Sequence, residues 1–362
     1  MKIVNVMWSG GSPFMSVHNV HSQVLAHGPA DARVCNWLLL GEGLCRGVGE
    51  VRHWQLSPRV LKGRWRHRLA LFLLRRRLLG ALKADAPDVL LLDGLGVARL
   101  LLPLLHRLPG VQVAVLFHGT TRLTGKDVRL FGQFPAERLR VAAVSATLAQ
   151  ALAHDLGRPV QTLRVALDPQ AFGRQLLGRE QARQALGLSA GEGGPVLGAV
   201  GRLVESKGFG MLIEAFAQAR TPGMQLVILG DGELRGALQA QAKVLGVEDS
   251  VRFCGHREEL AQLYPALDWL LVPSRSEGLG LVLQEAVLSR VPVICSDLPV
   301  FCEQLGEAGC YVPVGDAARW AEAIARCARG DAASIAAQQW RALAPEQGWA
   351  AFTASARRLL GG

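Results

Sequence analysis

Short, unbroken apolar runs recur along the chain. Each gives way to a polar or glycine-rich exit and then to a stretch of helical periodicity. Residues 89–93, 111–117, 141–145, 196–200, 226–229 and 269–272 are such runs, and Gly, Pro or a polar residue ends them. A run with no polar alternation reads as a strand buried on both faces, as parallel strands are. Parallel neighbours need a crossover, which the intervening helical stretches supply. The alternation therefore predicts an α/β chain with doubly wound parallel sheet.

At 362 residues the chain has room for two domains of ordinary size. The boundaries read from the sequence are a first Rossmann-like domain over 1–170 and a linker over 171–194, followed by a second Rossmann-like domain over 195–338 and a terminal helix over 339–362. Lys2 to Met7 runs directly into a first strand, with no signal-peptide architecture. The most lipid-like stretch, 89–105, carries Asp93 and Arg99 near its middle, which fits a core and not a membrane span. Seven cysteines, with no Cys-x-x-Cys spacing, indicate neither a disulfide framework nor a zinc site. Residues 1–165 hold 22 Lys/Arg against 9 Asp/Glu, and the remainder 18 against 21. So strong a basic bias in one half points to an anionic surface as a partner of that half.

The richest motif is Ser274-Arg275-Ser276-Glu277-Gly278-Leu279-Gly280-Leu281-Val282-Leu283-Gln284-Glu285-Ala286. It follows the strand 269–272, turns through Gly278 and Gly280, and enters a helix over 281–288. This geometry aims free backbone N–H groups at an anion. Glu277 sits at the strand exit, and Glu285 lies about 6 Å into the helix. Acids beside an anion site suit hydroxyl groups, so the pattern fits a diphosphate carried between polyhydroxy groups, as in a nucleotide sugar.

A second motif, Gly201-Arg202-Leu203-Val204-Glu205-Ser206-Lys207-Gly208, follows the strand 196–200. It lacks the Gly-Lys-Ser/Thr ending of a P-loop. Arg202 and Lys207 instead bracket the turn as a fork and a point charge that can clamp one diphosphate. Gly10 and Gly11 form the turn after the first strand, where backbone can approach a ligand. His118 leaves the strand 111–117 at its C-terminal end.

Together, Ser-x-x-Glu-Gly-x-Gly-x5-Glu-Ala and Gly-Arg-Leu-x3-Lys-Gly resemble the signature of retaining glycosyltransferases of family 4, which have the GT-B fold. The resemblance is dense over 196–314 and thin before it, where it rests on Gly10-Gly11 and Phe117-His118-Gly119. It implies two Rossmann-like domains facing a central cleft and a C-terminal helix that crosses back to the first domain. It places the diphosphate on Arg202, Lys207 and the backbone of Gly278, Gly280, Leu281 and Val282, and gives the ribose to Glu285. The donor sugar falls to Glu277 and His118, the nucleobase to the backbone around His256, and the donor diphosphate also to Gly10 and Gly11. The implied reaction is transfer of a hexosyl group from a UDP-sugar to an acceptor hydroxyl with retention. No Asp-x-Asp pair occurs, and with two cations already placed for the diphosphate no obligatory metal or other cofactor is expected. A nucleotide-sugar epimerase of the same fold and a non-catalytic nucleotide-sugar-binding subunit are the competing readings.

Residues 61–83 are exceptionally basic. On a helix of about 100° per residue, Leu61, Trp65, Leu69, Phe72 and Leu79 share one face. Arg64, Arg68 and Arg75 flank it on one side and Arg66 and Arg77 more widely on the other, with Arg76 inside the apolar stripe. Such a helix suits the surface of an anionic membrane, or equally one packed on the sheet with solvated arginines. No nucleic-acid-binding pattern accompanies the charge. The expectation is a cytoplasmic protein, peripheral on the inner membrane face, with an acceptor such as lipopolysaccharide core or another envelope glycolipid.

Overall fold

The computed structural model describes residues 1–9, 15–41, 48–61, 68–188, 193–327 and 330–361. The chain divides into two compact units, Met1–Val165 with Ala350–Gly362, and Ala166–Trp349.

Among the described residues, the first unit holds a seven-stranded parallel sheet. Its strands are β1 (Lys2–Ser9), β2 (Arg33–Leu40), β3 (Glu50–His53), β4 (Val89–Asp93), β5 (Gln112–Phe117), β6 (Leu139–Ala143) and β7 (Gln161–Thr162), in the order β3-β2-β1-β4-β5-β6-β7. Every pairing is parallel, for instance Ile3 opposite Val34 on one side and Val89 on the other. Leu90, Leu91 and Leu92 are fully buried, as the unbroken apolar run requires. Chain progression reverses between β1 and β4, so the crevice at their C-terminal ends is where such a sheet binds ligands.

Among the described residues, the second unit has six parallel strands: β8 (Val196–Val200), β9 (Gln225–Leu229), β10 (Val251–Gly255), β11 (Trp269–Val272), β12 (Val293–Ser296) and β13 (Cys310–Val312), in the order β10-β9-β8-β11-β12-β13. Its core joins strand residues Leu197, Leu226 and Leu271 to Phe216 and Trp320 of the covering helices. Here the reversal falls between β8 and β11. Two Rossmann-like parallel-sheet units of this kind are the domain pair of the GT-B fold.

Several local features depart from the sequence reading. β2 and β3 were not read as strands. The terminal helix expected over 339–362 is not one helix but falls in two, Ala332–Leu343 and Pro345–Leu359. Ala344 lies between them at φ 47°, and Pro345 restarts the chain at a first helical position. In the helix Arg68–Asp85, Leu74, Leu78, Leu79 and Leu82 are buried, whereas Leu69, Phe72 and Leu73 are 71%, 53% and 56% exposed. Leu79 therefore belongs to the core and not to a shared outward face with Leu69 and Phe72. Arg75 is drawn inward too, donating to the Arg99 carbonyl at 3.0 Å, and Arg77 lies over the Trp54 ring. Arg76 lies over Phe72. Arg64, Trp65, Arg66 and the Arg68 side chain lie outside the described residues.

Candidate functional site

In the second unit, the two loops that leave β8 and β11 at the reversal point are stitched together by backbone. Arg275 N–H donates to the Ser206 carbonyl at 2.8 Å. Gly208 has φ 72°, and a Cβ there would sit 2.2 Å from the Pro273 carbonyl oxygen. Only glycine allows both that conformation and that approach. Gly280 makes the corresponding turn before the helix Leu281–Leu288, with φ 77° and with Phe301 where a Cβ would project. No side chain among the described residues caps this helix, so the N–H groups of Leu281 and Val282 have no partner within it. The loop is held from behind by a buried pair: Gln284 donates to Gln304 at 3.0 Å, and Gln304 donates to the Leu279 carbonyl at 2.6 Å.

Around this turn stand four charged side chains of the motifs. Lys207 donates directly to Glu277 Oε1, which also accepts from Ser274 Oγ at 2.8 Å. The ion pair is largely withdrawn from water, with 20% and 10% of the two side chains exposed. Arg202 is exposed, and its guanidinium has no hydrogen-bond or ion-pair partner among the described residues. Glu285 Oε2 accepts from Tyr264 O–H at 2.6 Å. Burial raises the Glu285 carboxyl above its ordinary value, and the tyrosine bond opposes that rise. Burial and the facing carboxylate push the Tyr264 hydroxyl well up, so it stays a donor. Leu281 and Val282 open the helix, and Gly278 lies in the turn. His256 is exposed just beyond β10, beside Asp231 of the loop after β9. The second unit thus gathers Arg202, Lys207, Glu277, Gly278, Gly280, Leu281, Val282 and Glu285 at one reversal point, with His256 two strands away. Tyr264, Gln284 and Gln304 escaped the sequence reading, because nothing in their spacing sets them apart from ordinary helix residues.

In the first unit, His118 follows β5 and joins a cluster under the ends of β1 and β4. His118 Nε2 lies 3.0 Å from His21 Nε2 and 3.8 Å from Asp93 Oδ1. His21 Nδ1 lies 2.7 Å from Asn5 Oδ1, and Asn5 Nδ2 donates to Asn36 Oδ1 at 2.8 Å. Trp8 N–H donates to Asp93 Oδ2 at 3.1 Å. The ligand-type atoms of His21, Asp93 and His118 fall within 4.8 Å of one another, a spacing that a shared cation could also bridge. Burial lowers the pKa of His21 well below the ordinary value, helped by the charges of His118 and His18. Burial likewise lowers that of His118, against the pull of Asp93. Gly10 and Gly11 lie outside the described residues. Asn5, His21 and Asn36 were not singled out from the sequence, where isolated polar residues in strands and helices give no periodic signal.

Residues 194–329 match the family model of the group 1 glycosyl transferases. The lipopolysaccharide core biosynthesis glycosyltransferase LpsE of Rhizobium meliloti is 42% identical over 132 residues, which is 36% of this chain and 38% of that protein. The 2-deoxystreptamine glucosyltransferase of Streptomyces kanamyceticus is 32% identical over 235 residues, 60% of each chain. The chain thus spans about two fifths to three fifths of the length of these curated relatives. The crystal structure of Anabaena Alr3699/HepE in complex with UDP-glucose superposes with a TM-score of 0.74 at 20% identity, covering 99% of this chain and 98% of that one. The stretch similar to the group 1 glycosyl transferases thus lies within the second unit, and the chain as a whole shares its fold with a protein solved with a nucleotide sugar.

Proposed function

We propose that this chain is a retaining glycosyltransferase of family 4 that moves a hexosyl group from a UDP-sugar to a hydroxyl of an envelope glycolipid such as lipopolysaccharide core. One observation carries the reading: Arg202, Lys207, Glu277, Glu285 and an uncapped helix N-terminus gather where the sheet of the second unit reverses. Cations and N–H groups suit a diphosphate, and two acids beside them suit hydroxyls. The matched group 1 domain covers these residues, and a fold relative was solved with UDP-glucose.

In this reading the leaving UDP gains negative charge as the glycosidic bond breaks. Arg202, Lys207 and the helix N-terminus meet that charge, so they stabilise the transition state more than the ground state. Glu285, oriented by Tyr264, accepts from the ribose hydroxyls. Glu277 takes the donor sugar. Retention places the acceptor hydroxyl on the face of the leaving phosphate, whose oxygen receives its proton. Two cations serving the diphosphate leave no task for a metal, so transfer is expected to survive EDTA. Loss of activity in EDTA with recovery on manganese would overturn that part.

The deciding experiment screens nucleotide sugars by thermal shift, since only ligands that favour the folded state raise Tm. UDP release is then measured with and without a lipopolysaccharide-core acceptor. Acceptor-dependent release supports transfer. A changed sugar without acceptor means an epimerase, and binding without turnover means a binding subunit.

The acceptor assignment includes the membrane. No helix among the described residues is long and apolar enough to cross a bilayer. Leu69, Phe72 and Leu73 nevertheless stand exposed beside Arg76 on the basic first unit, a combination that suits peripheral docking to anionic lipid on the cytoplasmic face.

A further inference from the structure

We propose that Asn36, Asn5 and His21 form a one-way hydrogen-bond relay that holds His118 in its Nε2–H tautomer and leaves Nδ1 to accept a hydrogen bond from a ligand hydroxyl. The direction is forced from one end. Asn36 Nδ2 faces the carbonyl oxygens of Val48 and Glu50 at 2.7 and 3.3 Å. Carbonyls only accept, so the Asn36 amide nitrogen must lie there and its Oδ1 must face Asn5. Asn5 therefore donates through Nδ2 at 2.8 Å and presents Oδ1 to His21. An amide oxygen cannot donate, so His21 carries its proton on Nδ1 and donates at 2.7 Å. A neutral His21 then offers a lone pair at Nε2. The 3.0 Å contact with His118 is a hydrogen bond only if His118 Nε2 bears the proton.

The surroundings agree with this assignment. His21 is fully buried, and burial disfavours the imidazolium that would reverse the last link. Among the described residues, the charged or titratable groups facing the pair are His18, which also disfavours a charge on His21, and Asp93. Asp93 Oδ1, at 3.8 Å, favours the positive end of an N–H on His118 Nε2 over a lone pair. His118 Nδ1 has no hydrogen-bond partner among the described residues. A cation shared by both histidines is the competing arrangement. Bonds of about 2.1 Å in a tetrahedral site would hold the two nitrogens about 3.4 Å apart, wider than the 3.0 Å found. His21 and the two asparagines are positioning residues, because they act on the ligand only through His118. That the ligand is a substrate of glycosyl transfer rests on the proposed function, whereas the tautomer does not.

The test is long-range 1H–15N correlation on the whole chain labelled with 15N-histidine, at pH 7.5. The expected signature is Nδ1–H for His21 and Nε2–H for His118, and the opposite tautomer of either would overturn the relay. Asn5→Leu removes the acceptor for His21, so His118 should switch to Nδ1–H. His21→Gln keeps an acceptor for His118 and should preserve Nε2–H, whereas His21→Leu should release it. If a variant fails to fold, the spectrum of the unaltered protein still decides. Zinc added alone should leave the two resonance sets unchanged, and stoichiometric capture by His21 and His118 would overturn the relay in favour of a cation site. With UDP-glucose as donor, Asn5→Leu should raise KM about ten-fold, the worth of one hydrogen bond, while His21→Gln stays near the starting value. A switched tautomer with unchanged KM would remove the ligand half. Absence of transfer in every form, with the expected spectrum, would instead remove the glycosyltransferase reading and leave the relay standing.

Discussion

Lys207 is bonded to Glu277, so the cation assigned to the diphosphate and the acid assigned to the sugar touch each other. A donor that fits between Arg202 and this pair would extend an arrangement that is already neutral at one end. The two cations of the motif are therefore unequal, one locked in a mostly buried ion pair and the other exposed.

That inequality separates two variants. Lys207→Ala leaves Glu277 nearly buried with Ser274 as its remaining hydrogen-bond donor, and should cost about 3 kcal/mol of stability. Arg202→Ala should change stability by less than about 0.5 kcal/mol, as exposed side chains do. Both should lower transfer by about 10²-fold or more, the scale for removing one charge-stabilising group. Urea denaturation and UDP release measure the two effects, and equal stability losses would contradict the assignment.

Tyr264→Phe deletes the 2.6 Å bond to Glu285 while keeping the ring in its buried place. A half-buried carboxylate that loses its donor should cost about 1–3 kcal/mol. The Glu285 carboxyl should also rise further, because the tyrosine bond is what restrains it. Calorimetry should then show UDP binding weakened more at pH 6 than at pH 8. Equal weakening at both values would mean that the hydroxyl does not tune the acid.

Gly208→Ala should be disruptive even though glycine and alanine differ by one methyl group. The new Cβ would fall 2.2 Å from the Pro273 carbonyl in a conformation with φ 72°. Either the β8 loop or the β11 exit must move, which should cost about 2 kcal/mol or more and separate Lys207 from Glu277. Loss of UDP-induced thermal stabilisation in a protein with native circular dichroism would show the displacement. A variant that binds UDP normally would contradict it.

Where function leaves a local pattern, the chain was legible. Gly-Arg-Leu-x3-Lys-Gly and Ser-x-x-Glu-Gly-x-Gly-x5-Glu-Ala each occupy one strand–loop–helix junction, so loop chemistry and strand period both marked them. The apolar runs at 196–200 and 269–272 likewise coincide with β8 and β11. The hidden part of each site arrives through the fold. Tyr264 reaches Glu285 across 21 positions, and His21 reaches His118 across 97. Neither pairing has a sequence period. β3 is short, exposed and polar, Glu50-Val51-Arg52-His53, so it is a strand only because β2 pairs with it. The basic helix misled for a related reason. Its apolar residues cover the whole circumference, and periodicity alone could not say that Leu74 and Leu78 are buried while Leu69, Phe72 and Leu73 are exposed.

That outward group gives a membrane test. Exchanging Leu69, Phe72 and Leu73 for Ser, with Arg76→Glu, touches residues that are largely exposed or lie over Phe72, so folding should be little affected. Co-sedimentation with vesicles of phosphatidylglycerol and phosphatidylcholine should fall at least ten-fold, since each basic residue near such a surface is worth about 1 kcal/mol. Arg75→Glu is a useful contrast. Its guanidinium is tied to the Arg99 carbonyl, so that change should harm stability more than vesicle binding. Undiminished sedimentation of the quadruple variant would sink the docking proposal.

The histidine cluster makes stability depend on pH in a direction that can be worked out. Burial lowers the native pKa of His21 and of His118 below the ordinary value of 6.5. Above pH 6.5 both states hold these rings neutral, and the pair adds no pH dependence. As pH falls below 6.5 the unfolded chain takes up protons that the native state refuses, so it is favoured and stability drops. The slope should approach about 1.4 kcal/mol per pH unit for each ring, and it should persist until pH passes the lowered native values. Urea denaturation at pH 7.5, 6.5, 6.0 and 5.5 measures this above the range where most carboxylates titrate. His21→Gln removes one of the two rings and should reduce the slope by about half. A flat profile from pH 7.5 to 5.5 would mean that both rings titrate normally, and that His21 and His118 do not share a buried neutral contact.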